Sequence, residues 1–253
     1  MAEQLDGTVA MVTGASSGIG RAAARQLAAR GAAVALVARR KDRLTELADE
    51  IGGSGGTVTV LDADITDREQ ASSAVEWTIT ELGRLDTVVN CAGVMLTGPA
   101  DEAPVEEWER MVSLNLTGLL YVSHAALPHL ISGAKSGARR VADLVNVSSG
   151  AARTARGGAA VYAATKMGVN TFSEALRQEA APHNVRVSLV EPGAVDTELF
   201  DHQRPAVRDH FAQWLADVEK LWPEDIADAI EYIVTRPRRV TVNDIMVRPT
   251  DMH

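Results

Sequence analysis

The stretch Thr8-Val9-Ala10-Met11-Val12-Thr13-Gly14-Ala15-Ser16-Ser17-Gly18-Ile19-Gly20 decides how the rest of the chain is read. Thr8 to Val12 is a short apolar run of strand length that ends in a glycine-rich turn. An alanine-rich helix follows from Arg21 to Arg30, with Gly31 placed to cap its end. Ala32 to Ala38 is a second continuous apolar run, the pattern of a parallel strand covered on both faces. A strand, a glycine turn and a helix in this order let the backbone approach a pyrophosphate, whose charge is favoured at the helix N-terminus. Gly14, Gly18 and Gly20 carry that role, in the spacing T-G-x-x-x-G-x-G.

The alternation continues to the end of the chain. Helix-spaced Leu44, Leu47, Ala48 and Ile51 fall within 41–51, and Gly52 to Gly56 make a turn. Strands are predicted at Thr57–Leu61, Asp86–Asn90, Val141–Val147, Val185–Val190 and Asp244–Val247. Helices are predicted from Asp67 to Leu82, around Tyr162 as far as Pro182, and from Pro223 to Val234. A long helical region starts at Pro104, breaks near Ser113 to Asn115, and ends by Pro128 to Ile131. Regular strand–helix alternation predicts a Rossmann-like, doubly wound parallel sheet of about seven strands. Helices lie on both of its faces, and residues 1–253 form a single domain.

Composition narrows the function. A net charge of −9 argues against nucleic acid or an anionic membrane as partner. Cys91 is the one cysteine, so no internal disulfide forms, and no Cys/His spacing suggests a metal. No apolar run approaches the ~18 residues of a membrane span, and the N-terminus lacks a signal peptide's apolar stretch. A cytoplasmic protein acting on a small molecule is expected.

At the end of the second strand stand Arg39, Arg40 and Lys41, where an NAD site usually places a carboxylate for the ribose 2′-hydroxyl. Guanidinium groups there suit a 2′-phosphate, whereas a carboxylate would repel it. Three cations at a helix start also oppose its dipole, which favours a functional cause. The expected cofactor is NADP, as NADPH.

Ser149, Tyr162 and Lys166 carry the chemistry. If Tyr162 to Lys166 is helical, phenol and ammonium lie one turn apart on one face. A fixed cation would lower the phenol pKa toward working pH and suit it to general acid–base exchange with a substrate oxygen. Ser149, just past a strand-like run, could hold the same oxygen. Taken alone, the Tyr–Lys pair also fits an ordinary helix surface.

The chain resembles the single-domain branch of the short-chain dehydrogenase/reductases over nearly its whole length. The matching stretches are residues 13–20, Asp64-Ile65, Asn90-Cys91-Ala92-Gly93, Asn115, Asn146 to Ser149, Tyr162 to Lys166, and Pro192-Gly193 with Thr197. The resemblance implies that Ser149 orients a substrate carbonyl and Tyr162 donates the proton. It implies that Lys166 binds the nicotinamide ribose and tunes Tyr162, and that Asn115 holds a water linking Lys166 to solvent. Alone, Asn115 also fits a helix-break residue bonded to its own backbone. The cofactor contacts implied are Gly14, Ser16, Ser17, Gly18, Ile19, Gly20, Arg39, Arg40, Asp64, Ile65, Asn90, Ala92, Gly93, Tyr162, Lys166, Pro192, Gly193, Val195 and Thr197. The family usually has a second Asn where this chain has Cys91, whose thiol bonds far more weakly and puts local rigidity in question. A homodimer or homotetramer through small-residue helix faces at 104–131 and 159–181 is also implied. The basic end of strand 2 and the 245–251 tail are similar to NADP-dependent reductases of the clavulanate dehydrogenase type, and to serine dehydrogenases.

At the substrate end, Met95 is expected to line the pocket with Leu96. Arg153 fits either a substrate carboxylate or a surface arginine, and Arg156 lies in a glycine-flanked turn. Residues 196–222 fit a lid over the substrate, or helix core carrying Phe200, Phe211, Trp214, Leu215 and Trp222. A carbonyl reductase reversible as an alcohol dehydrogenase is expected, on a small and possibly carboxylate-bearing substrate. The alternatives are a 3-oxoacyl thioester reductase and a non-catalytic NADP(H)-binding redox sensor.

Overall fold

The computed structural model describes residues 4–214 and 216–252; Leu215 and the side chains of Phe211 and Trp214 lie outside what is described. The strands are β1 Val9–Thr13, β2 Ala33–Ala38, β3 Val58–Asp62, β4 Thr87–Asn90, β5 Ala142–Val147, β6 Val185–Pro192 and β7 Asp244–Val247. The α-helices are α1 Gly18–Ala29, α2 Lys41–Gly53, α3 Arg68–Leu82, α4 Val105–Met111, α5 Leu119–Ser136, α6 Ala160–Ala180, α7 Pro205–Trp214 and α8 Pro223–Val234. Among the described residues the sheet has seven strands in the order β3-β2-β1-β4-β5-β6-β7. Each neighbouring pair is parallel.

The continuous apolar runs are the inner strands, buried on both faces as parallel strands must be. Leu27, Leu44, Leu47, Ile226 and Ile230 pack α1, α2 and α8 on one face. Val75, Val122, Leu130 and Leu176 pack α3, α5 and α6 on the other. In β1, Thr13 is level with Val37 of β2 on one side and Asn90 of β4 on the other. The chain leaves β1 and β4 in opposite directions, so a crevice opens at their C-terminal ends.

Three helical expectations need correction. Helix α5 runs through Pro128 to Ser136 instead of ending there. Pro128 loses one backbone donor, but Leu130 is fully buried and Gly133 lies directly on the Leu85 carbonyl, so packing holds the next turns. The region near Ser113 to Asn115 is not a break; Val112–Gly118 is a π-helical stretch joining α4 to α5. Such a widening leaves no sign in apolar spacing. Helix α1 starts at Gly18 rather than Arg21, so the glycine turn forms its first turn.

Candidate active site

A cleft of about 300 Å³ lies over the C-terminal ends of β1 and β4. Gly14 has a φ of +69°, and a Cβ there would sit 2.8 Å from the backbone of Ala92. Only glycine lets the first turn cross this close to the loop after β4. Ser17 caps α1 without a side-chain hydrogen bond, and its first turn carries no acid. Its first N–H groups are therefore aimed at the cleft with the helix dipole behind them, which suits an anion such as a pyrophosphate.

The cleft brings together Gly14, Ser16, Ser17, Gly18, Ile19, Gly20, Arg39, Arg40, Asp64, Ile65, Ala92 and Gly93. From the other side come Met95, Tyr162, Lys166, Pro192, Gly193, Val195 and Thr197. Asn90 is the exception among the expected cofactor contacts. Its amide points away from the cleft, donating to Asn146 Oδ1 at 2.9 Å and to Ser123 at 3.3 Å. Alternation along β4 turns this side chain into the helix layer. There Asn146 donates in turn to Ser173 at 2.8 Å. Beside it, the backbone N–H groups of Cys91 and Ala92 donate to Thr13 Oγ1 at 3.2 and 3.4 Å, so the strand end is tied without a second Asn. Burial pushes the Cys91 thiol up to about 12, which keeps it protonated and a poor nucleophile at neutral pH.

At the adenine end, Asp64 turns on itself, accepting from Thr66 N–H at 3.0 Å and Thr66 Oγ1 at 2.8 Å. Arg39 is exposed and lies 3.9 Å from Asp64. Arg40 sits at the N-terminus of α2 and donates to Ser16 Oγ at 3.2 and 3.1 Å and to Ser17 Oγ at 2.8 Å. Its third nitrogen reaches Glu198 at 2.8 Å, and Arg43 pairs with the other Glu198 oxygen. Hydrogen bonding from Arg40 holds the Glu198 carboxyl below its usual range. Glu198 was missed in the sequence, because 158 residues separate it from Arg40 and no spacing rule links them.

The three chemistry-bearing residues converge. Ser149 ends the loop after β5 and caps the short turn Gly150–Ala152, its Oγ accepting from Ala151 N–H at 3.1 Å. Ser149 lies beside the Tyr162 hydroxyl, and Tyr162 is 6% exposed. One turn along α6, Lys166 Nζ lies 6.0 Å from the Tyr162 ring centroid and donates to the Val147 carbonyl at 2.9 Å. The expected lowering of the phenol pKa needs correction. Burial raises the Tyr162 pKa, and only the neighbouring Ser149 hydroxyl works against this. Burial also lowers Lys166 to about 8, so the cation meant to tune the phenol is itself weakened.

Asn115 does not reach Lys166 through its side chain. Its Oδ1 accepts from Val94 N–H at 2.7 Å and its amide donates to the Val94 carbonyl at 2.8 Å and to Thr165 at 3.3 Å. The carboxamide therefore clamps the loop after β4 onto the π-helical stretch, under the cleft floor.

Arg153 is not brought into the cleft. Its guanidinium donates to both oxygens of the buried Glu191 at 2.9 Å, and it lies 3.9 Å from Asp244. Arg156 is exposed. Around Tyr162 the site is apolar instead, with Val94, Met95, Leu199 and Phe200 grouped against it. Leu199, Phe200 and His202 belong to a short turn, Glu198–His202, that closes one side of the cleft. Gln203 anchors that turn by accepting from Thr97 N–H at 2.9 Å. Val195 and Leu221 pair as a parallel bridge, which brings together the two ends of the segment once read as lid or helix core. Trp222 lies outside that closure and is exposed.

Comparison with known proteins gives a consistent picture. A family model described as short chain dehydrogenase matches residues 8–208. An uncharacterised oxidoreductase of Staphylococcus aureus strain USA300 is 36% identical over 241 residues, covering 95% of this chain and 96% of its own. The closed form of a serine dehydrogenase complexed with NADP+ superposes with a TM-score of 0.86 at 30% identity, covering 95% of this chain and 94% of its own. A 3-ketoacyl-(acyl-carrier-protein) reductase from Brucella melitensis complexed with NADH gives 0.83 at 30% identity, covering 97% and 98%.

Proposed function

Because the chain belongs to the short-chain dehydrogenase family, we propose that it is an NADPH-dependent carbonyl reductase, reversible as an alcohol dehydrogenase. The observation that carries this reading is the enclosed Tyr162 hydroxyl, with Ser149 beside it and Lys166 one turn away, at the end of a nucleotide-binding cleft. The first turn of α1 would hold the pyrophosphate, Asp64 and Ile65 would flank the adenine, and Lys166 would bind the nicotinamide ribose. When bound, the dinucleotide would supply the hydride. Tyr162 would give its proton to the substrate oxygen, with Ser149 holding that oxygen in line for transfer. Asn115 would act as a positioning residue, fixing Val94 beneath them. A Tyr162 pKa raised by burial keeps the acid protonated through neutral pH, which suits the reductive direction.

NADP is preferred over NAD because β2 ends in Ala38 and Arg39 with no carboxylate, and the serine dehydrogenase neighbour holds NADP+. The substrate is a small carbonyl or alcohol held against apolar side chains. Since Arg153 is engaged by Glu191, a carboxylate on the substrate finds no support from it. A 3-oxoacyl thioester reductase is the second reading, supported by the Brucella neighbour. A redox sensor would have no use for Ser149, Tyr162 and Lys166 in this arrangement. The test is NADPH oxidation over a panel of aldehydes, β-keto acids and oxoacyl thioesters. Turnover of the uncharged carbonyls supports the reading, selective turnover of thioesters favours the second, and no turnover of any sinks both.

A homodimer or homotetramer through α5 and α6 belongs to the same proposal. Met167 and Val112 stand exposed on or beside those helices, 40% and 43% accessible. Light scattering at micromolar concentration should report a multimer; a monomer mass would remove the claim.

A further inference from the structure

The edge of the cleft carries one more anion than a phosphate site needs. Every nitrogen of Arg40 is engaged: Nε and one terminal nitrogen bond to Ser16 and Ser17, and the other terminal nitrogen bonds to Glu198 at 2.8 Å. Arg43 takes the second Glu198 oxygen. A carboxylate with a guanidinium on each oxygen is the arrangement that a phosphate dianion would itself adopt there. Arg39 differs, being exposed with its nearest carboxylate at 3.9 Å.

We propose that Glu198 is a specificity-determining residue of the cofactor site, an internal anion that occupies the Arg40 and Arg43 donors which a 2′-phosphate would take. This rests on the NADP reading. Arg39 then makes the first grip on the phosphate, and Arg40 joins only as Glu198 gives way. Phosphorylated cofactor and carboxylate compete for one set of donors, so affinity for the 2′-phosphate is set by their difference. A neutral residue at 198 removes the competitor and leaves both arginines for the phosphate.

The contacts are partly exposed, with side-chain accessibilities of 34% for Glu198, 39% for Arg40 and 40% for Arg43, so the effect is screened. Calorimetric titration of the full chain with 2′,5′-ADP and with 5′-AMP tests it. Glu198→Gln and Glu198→Ala should each tighten 2′,5′-ADP by about three- to tenfold while leaving 5′-AMP unchanged. Adding Arg40→Gln to Glu198→Gln should cancel the gain. Unchanged or weaker 2′,5′-ADP binding in both single variants, with melting temperatures preserved, would overturn the proposal. So would equal tightening of 5′-AMP, which has no 2′-phosphate to sense Arg40. If the unmutated protein binds both ligands equally, two outcomes separate the claims. A preference for 2′,5′-ADP that emerges in Glu198→Gln upholds the role of Glu198, whereas none in either protein removes it together with the NADP reading.

Discussion

Tyr162→Phe will keep the fold and lose about 10²–10⁴-fold in kcat, the usual contribution of a positioned acid–base group. The ring stays packed against Met95, Leu199 and Phe200, so stability should change little. What disappears is the hydroxyl beside Ser149. The loss should fall on kcat with NADPH affinity nearly unchanged, the mark of an interaction used in the transition state. The pH profile of the unmutated enzyme carries a second signature. Reductive kcat/KM should be flat through neutrality and begin to fall near pH 8, where Lys166 gives up its charge. It should fall further where Tyr162, raised above the ordinary tyrosine value, loses its proton. Alcohol oxidation needs the phenolate, so it should rise over that same alkaline range. Rate measurements in both directions from pH 6 to 11 decide it. A phenylalanine variant with most of its activity would mean the proton comes from elsewhere.

Lys166→Met should separate activity from stability, lowering the first and raising the second. Activity should drop about 100-fold or more, because the role proposed for this ammonium is to hold the nicotinamide ribose beside Tyr162. Stability moves the other way through linkage. The folded-state pKa of about 8 lies below the ordinary 10.5, so the unfolded chain holds the proton more tightly. Stability of the unmutated protein therefore rises between about pH 8 and 10.5, and below pH 8 the whole cost is present. That cost is on the order of 3 kcal/mol at pH 7. Methionine escapes it but strands the Val147 carbonyl, which costs about 1 kcal/mol. A net gain of roughly 1–3 kcal/mol at pH 7 should shrink and vanish by pH 10.5. Thermal melts at pH 7, 9 and 10.5 test this. A methionine variant less stable by the same amount at each pH would show that the buried charge is not the cause.

The strands were legible because a parallel sheet demands unbroken apolar runs, and Ala33–Ala38 and Val185–Pro192 could hardly be anything else. Helix α8 lies within the limits read from its proline start and apolar spacing. The nearness of Tyr162 and Lys166 was legible because local spacing places them on one helix face. What stayed hidden depends on partners far apart in the chain. Arg153 gave no sign that Glu191, 38 residues on, would claim it. The direction of the Tyr162 pKa was misjudged because spacing reports the neighbouring charge but says nothing of burial, and burial wins here. Asn90 was assigned to the cofactor by its place in a motif, yet strand alternation turned its amide the other way.

The bridge between Val195 and Leu221 makes a module of what lies between them. Asp196 N–H donates to the Leu221 carbonyl at 2.8 Å, and Leu221 N–H returns to the Ala194 carbonyl at 3.0 Å. With its ends joined at the base, this excursion can change length without moving β6 or α8. Doubling a closed loop adds only about 0.6 kcal/mol of closure entropy. The scaffold and the excursion are thus free to evolve at different speeds. A protein engineer could exchange the part of the excursion beyond Glu198 as a cassette, keeping Thr197 and Glu198 so that the nucleotide side of the cleft is left as it stands.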